Sequence, residues 1–184
     1  MKNFPNILTI FRIVSLPVLI LMILSSDQEF NFYGVLLFIV ISASDFFDGY
    51  LARKMSTESS FGKMLDPIAD KLFIITVIIC LMINGTIVHL SLIPGFLIIF
   101  REIFVSGLRE YFSTVNSNVA INVSSLGKIK TAIQMLSLFL ILVASLSLQV
   151  STLLMNIGII ALWIAMVLSI VSGYQYYKAA NNNN

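Results

Sequence analysis

The chain has 184 residues, of which 58% are hydrophobic and 11% charged, with a mean hydropathy of +0.97 and a formal net charge of +2. A soluble domain of this size needs a charged surface that such a composition cannot supply, and so small a net charge with no basic run argues against a nucleic-acid partner. The composition points to an integral membrane protein.

Apolar stretches of about 17–25 residues predict six spans. They fall at 7–24, 32–53, 66–83, 92–112, 131–148 and 153–176. The first follows Lys2 and has the look of a secretory signal, but Arg12 and Pro17 interrupt it and no small-residue cleavage pattern follows. With a cytoplasmic N-terminus, Lys2, Arg53, Lys54, Lys63, Lys71, Arg109, Lys128, Lys130 and Lys178 all lie at or near inner span ends. The outer loops around 27–29, 84–91 and 147–151 carry no Lys or Arg, so the positive-inside rule places both termini in the cytoplasm. The expected fold is therefore all-α and polytopic, with six transmembrane helices. One membrane domain covers 1–180, and a disordered asparagine tail follows at 181–184. The single cysteine, Cys80, falls mid-span and excludes a disulfide framework. His89, alone in an outer loop, reads as interfacial.

Chemistry gathers in the second and third spans. Asp45 and Asp48, Gly49, Ala52 and Arg53, then Gly62, Asp66 and Asp70, place four carboxylates within a short stretch of an otherwise apolar chain. A carboxylate at membrane depth is costly unless it pairs with a cation or lines a wet cavity. On a helix, residues three or four apart share a face with Cβ atoms about 5–6 Å apart, so Asp45 converges with Asp48 and Asp66 with Asp70. The short 54–65 connection predicts antiparallel neighbours, which brings both pairs to the same cytoplasmic end. Four hard oxygen donors without His or Cys suit Mg²⁺, Mn²⁺ or Ca²⁺ rather than zinc. Gly49 and Ala52 leave room for a ligand, and Arg53 offers a planar fork suited to phosphate oxygens. The combination reads as a divalent-metal site for a lipid diphosphate. Two rivals remain: structural ion pairs at span ends, and the paired carboxylates of a divalent-cation transporter. The stretches 72–83, 133–148 and 153–171 hold no acidic or basic residue that would continue an ion pathway.

The string Asp45-x2-Asp48-Gly49-x2-Ala52-Arg53-x8-Gly62-x3-Asp66-x3-Asp70 resembles the signature of the CDP-alcohol phosphatidyltransferases, with each defining position filled. Pro5-Asn6-x-Leu8-Thr9-x2-Arg12, Arg101-Glu102-x4-Gly107-Leu108-Arg109-Glu110 and Gly127-Lys128-x-Lys130-Thr131-x2-Gln134 are similar to the branch whose acceptor is sn-glycerol 3-phosphate. This resemblance implies a six-helix bacterial plasma-membrane enzyme, active site facing the cytoplasm, that moves a phosphatidyl group from CDP-diacylglycerol to glycerol 3-phosphate and releases CMP. It implies two divalent cations, Mg²⁺ or Mn²⁺, held by Asp45, Asp48, Asp66 and Asp70, with Asp70 also the base for the attacking hydroxyl. Asn6, Thr9, Gly49, Ala52, Arg53 and Gly62 would contact CDP-diacylglycerol, and a homodimer is implied as well.

The signature is shared by enzymes that use serine or inositol phosphate, so the acceptor must be read elsewhere. Arg109, Lys128 and Lys130 cluster at the inner ends of the fourth and fifth spans and offer more cationic donors than a neutral acceptor needs. They are the expected acceptor-phosphate residues. Arg12 and Arg101, drawn into spans, either serve a substrate or pair with Glu102 or an Asp.

Overall fold

The computed structural model describes the backbone of residues 4–55, 60–115, 125–146 and 151–181, and the side chains of 8–44, 64–111, 126–146 and 151–178. Every described element is helical: α1 (Phe4–Leu24), α2 (Gln28–Met55), α3 (Ser60–Ile83), α4 (Leu92–Val115), α5 (Ser125–Ala144) and α6 (Ser151–Asn181), with a short 3₁₀ turn at His89–Ser91 before α4. Among the described residues three apolar segments are long enough to cross a membrane, His89–Tyr111, Leu126–Ala144 and Ser151–Lys178, while the described parts at Leu8–Leu24 and Gln28–Ser44 are shorter. The helices carrying the acidic residues are apolar over only part of their length. α3 begins at Ser60, ahead of the expected start at 66, because helical hydrogen bonding continues through polar residues that hydropathy reads as a loop. α5 stops at Ala144, short of the expected 148, and α6 takes in Asn181; residues 182–184 of the expected tail lie outside the described residues.

The chain divides into two compact units, Met1–Ile87 with Leu142–Thr152, and Val88–Ile141 with Leu153–Asn184. In the first, α1 packs against both α2 and α3. The α1–α2 turn is tied by its own side chains, Asp27 Oδ1 accepting from the Glu29 N–H at 2.9 Å and Ser25 Oγ from the Asp27 N–H at 3.1 Å. Phe38 of α2 meets Phe73 of α3 with ring centroids 5.1 Å apart, a contact that two successive helices of this length make only by folding back as a hairpin. After α3 the chain turns at Gly85, whose φ of 74° falls where a Cβ would strain the backbone, and Asn84 Nδ2 donates to the Ile23 carbonyl at the end of α1. α1 and α3 thus run parallel, with α2 antiparallel to both.

In the second unit the seam between α5 and α6 is close. Ser137 Oγ donates to the Gly158 carbonyl at 2.8 Å, and a Cβ built on Gly158 would stand 2.7 Å from Ile141 Cγ1 and 3.2 Å from the Ile141 nitrogen. Helices in lipid gain little from burial against one another, so close approach at small residues carries much of their association. Gly158→Ala is therefore expected to lower stability by about 1–3 kcal/mol, seen as a drop in thermal midpoint in detergent. Gly107→Ala, where nothing lies within 4 Å, serves as the neutral comparison.

Both units show polarity reversed from that of a soluble protein. Thr9, Arg12, Glu102, Lys130 and Gln134 are buried, while Val14, Leu21, Ile83 and Phe100 are each more than 60% exposed. Some serines inside the helices satisfy their hydroxyls on the preceding turn, Ser15 on the Phe11 carbonyl and Ser42 on the Phe38 carbonyl. That keeps polar groups paired where water is scarce.

Candidate functional site

The acidic site belongs to the first unit. Asp45 follows Phe38 by seven residues and Asp66 precedes Phe73 by seven, so in the hairpin both positions lie about 10 Å beyond the ring contact, at one level and toward one end. The backbone at Asp45, Asp48, Gly49, Ala52 and Arg53 is helical within α2, and Gly62 is helical within α3. The side chains at these positions and at Asn6 lie outside the described residues.

Asp66 and Asp70 are described, and α1 holds both. The Thr9 hydroxyl donates to Asp66 Oδ1, and Arg12 Nη1 donates to Asp70 Oδ1 in an ion pair. Thr9 and Arg12 lie three apart on α1 and their partners four apart on α3, so parallel packing matches one face to the other. Arg12 is only 1% exposed whereas the Asp70 side chain is 44% exposed, so a buried cation fixes a carboxylate that still reaches the surface. Among the described residues no three His, Cys, Asp or Glu side chains gather into a metal cluster. The donor chemistry of Asp66 and Asp70, oxygen only and oriented by neighbours, nevertheless fits hard divalent cations, with Asp45 and Asp48 as the further donors the sequence supplies.

The cationic residues belong to the second unit and divide in two. Arg109 and Lys128 are exposed, and the Arg109 guanidinium lies 5.9 Å from the centre of the Tyr176 ring. Lys130 is buried, its ammonium donating to Glu102 Oε1. The same oxygen accepts from Arg101 Nη1 at 3.3 Å, and Arg101 also donates through Nε to the Ser169 carbonyl at 2.9 Å and through Nη2 to Ser172 Oγ at 3.0 Å. Of the two arginines drawn into spans, each therefore meets an acid. Gln134, one turn beyond Lys130, is fully buried with neither amide atom hydrogen-bonded.

Comparison with known proteins bears on the chain as a whole. A family model described as CDP-alcohol phosphatidyltransferase matches residues 2–171. The chain belongs to the CDP-alcohol phosphatidyltransferase family. Curated relatives include a protein of Rickettsia bellii, 46% identical over 97% of this chain and 95% of its own length. Another, from Wigglesworthia glossinidia brevipalpis, is 35% identical over 97% of this chain and 94% of its own. Both are named CDP-diacylglycerol–glycerol-3-phosphate 3-phosphatidyltransferase. A family of phosphatidyltransferases matched along nearly its whole length makes this chain an enzyme of phosphatidyl transfer and of phospholipid biosynthesis.

Two groups escaped the reading of the sequence as site components. Glu102 is a single acid beside an arginine, which reads as a local ion pair, and only the fold shows that it also takes Lys130. Ser169 and Ser172 of α6 carried no signal, since serine is common in apolar helices.

Proposed function

We propose that this enzyme transfers the phosphatidyl group of CDP-diacylglycerol to sn-glycerol 3-phosphate, giving phosphatidylglycerophosphate and CMP. The observation that carries the proposal is the pair Asp66 and Asp70, held from α1 by Thr9 and Arg12 on a hairpin whose other arm carries Asp45 at the level of Asp66 and Asp48 one turn beyond. The names of relatives 45–46% identical over 97% of the chain support the choice of donor and acceptor.

In this reading a single membrane domain spans a bacterial plasma membrane six times, with both termini cytoplasmic, and works as a homodimer. Asp45, Asp48, Asp66 and Asp70 would hold two divalent cations, Mg²⁺ or Mn²⁺, which when bound supply positive charge to offset that of the diphosphate. Asn6, Thr9, Gly49, Ala52, Arg53 and Gly62 take the CDP moiety, with Arg53 donating to phosphate oxygens and the glycines leaving room for them. The acceptor hydroxyl oxygen forms a bond to the phosphatidyl phosphorus as the bond from that phosphorus to the bridging oxygen breaks, and CMP leaves with the electron pair. The hydroxyl proton passes to the Asp70 carboxylate, a transfer typically worth 10²–10⁴-fold in rate. Arg12 fixes the direction of that carboxylate through Oδ1. The exposed Arg109 and Lys128 meet the phosphate of the acceptor, while Lys130, expected to join them, is held on Glu102.

The test is CMP release from CDP-diacylglycerol by the purified protein, with glycerol 3-phosphate, serine and inositol phosphate offered in parallel. Release with glycerol 3-phosphate alone is expected. Release with serine or inositol phosphate instead would change the acceptor and leave phosphatidyl transfer standing.

A further inference from the structure

We infer that Glu102 is a positioning residue for acceptor binding, setting the cationic face of the second unit by bridging two cations that would otherwise repel. The inference rests on the reading above that Arg109 and Lys128 receive the acceptor phosphate. Glu102 lies within a segment long and apolar enough to cross a membrane, yet is 6% exposed. An acid so placed is costly to retain unless its partners repay it. Its Oε1 alone takes both Lys130 Nζ and Arg101 Nη1. Without that oxygen an ammonium and a guanidinium would face each other with like charge, and the separation between α4 and α5 would have to grow.

The effect extends past the pair because Arg101 is itself a clamp. Its Nε and Nη2 hold the Ser169 carbonyl and the Ser172 hydroxyl of α6, and Gly173 leaves space for it, since a Cβ there would stand 3.3 Å from Arg101 Nε. Arg109 follows Glu102 by seven residues and so shares its face of α4, about 10 Å further along the axis. Tyr176 follows Ser172 by four and shares its face of α6, and it is this ring that Arg109 meets. One seam thus runs from Glu102 to the exposed guanidinium of Arg109 along α4 and α6, and Lys130 ties the same acid to α5, the helix that carries the exposed Lys128 on another face. Glu102 need not touch the acceptor to govern how these cations meet it.

The experiment measures initial rates of CMP release in detergent, varying sn-glycerol 3-phosphate and CDP-diacylglycerol in turn, for wild type, Glu102→Gln and Glu102→Asp. Glu102→Gln keeps the shape and removes the charge. It is expected to raise the acceptor KM on the order of tenfold, with the CDP-diacylglycerol KM within about twofold of wild type. Glu102→Asp, which restores the charge, should return most of that loss. Equal rises in both KM values, or a fall in kcat alone, would overturn the positioning role, as would an unchanged acceptor KM. Should Glu102→Gln not be recovered folded, Ser172→Ala removes only the hydroxyl under Arg101, and an acceptor KM that does not rise with it overturns the inference. A wild-type enzyme indifferent to glycerol 3-phosphate would instead sink the acceptor assignment on which the inference rests.

Discussion

Excess chelator is expected to abolish CMP release, and Asp45→Asn, Asp48→Asn and Asp66→Asn are each expected to lower turnover by roughly a thousandfold or more. Each substitution keeps the volume and removes one negative charge from the set of oxygen donors proposed to hold divalent cations against a diphosphate, an expected effect of several kcal/mol on the transition state. Asp66 makes the sharpest case, because the Thr9 hydroxyl already donates to one of its oxygens. The side-chain amide introduced by Asp66→Asn can accept that hydrogen bond through its carbonyl, so the helix packing survives while the charge does not. Thermal unfolding with and without added Mg²⁺ separates the two: Asp66→Asn should match wild type without the ion and lose the stabilisation that the ion gives. Full activity in excess chelator would dismiss the metal reading outright.

The second large effect is on the acceptor. If Arg109 and Lys128 hold the acceptor phosphate as proposed, Arg109→Ala and Lys128→Ala each remove a charge-assisted hydrogen bond worth about 1.5–3 kcal/mol, so the KM for glycerol 3-phosphate should rise on the order of 10–100-fold while that for CDP-diacylglycerol changes much less. Both side chains are exposed, and truncating them should cost little stability. Lys130→Ala is a different experiment. Lys130 is buried on Glu102, and its removal leaves a buried carboxylate short of a partner at a cost of about 3–5 kcal/mol. Its first symptom should be loss of folded protein, so a kinetic defect in that variant says little about the acceptor unless stability is measured beside it. Equal, small changes in both KM values for Arg109→Ala and Lys128→Ala would remove the main physical support for an anionic acceptor.

The helices were legible in the sequence because long apolar runs leave few other ways to satisfy a backbone, and that Asp66 and Asp70 share one helix followed from the same runs. Boundaries were less so. Hydropathy reports preference for lipid rather than helical hydrogen bonding, so the start of α3 at Ser60, among polar residues, and the end of α5 at Ala144 could not be read from it. The partners of the acids were hidden for another reason. Thr9 and Asp66 lie 57 positions apart, and Arg12 and Asp70 lie 58 apart, and nothing in the local pattern says which face of α1 meets α3. Arg12 was seen to be out of place in an apolar run, but its choice of Asp70 over a substrate is a property of the packing. Lys130 shows the converse: its spacing from Lys128 suggested a shared surface, while a helix sets residues two apart on different faces, one exposed and one buried on Glu102.

The bond from Arg12 to Asp70 also imposes an order on how the protein is made. The arginine leaves the ribosome 58 residues ahead of the aspartate, which at about 5–20 residues per second is roughly 3–12 s. For that interval α1 carries a guanidinium whose carboxylate has not yet been synthesised. In the proposed six-span reading an arginine inside a span opposes insertion by up to about 2.5–3.5 kcal/mol, so the first helix is expected to settle only when the third arrives beside it. A nascent chain halted at Met55 is then expected to hold its first span in the membrane less firmly than one that has reached Ile83.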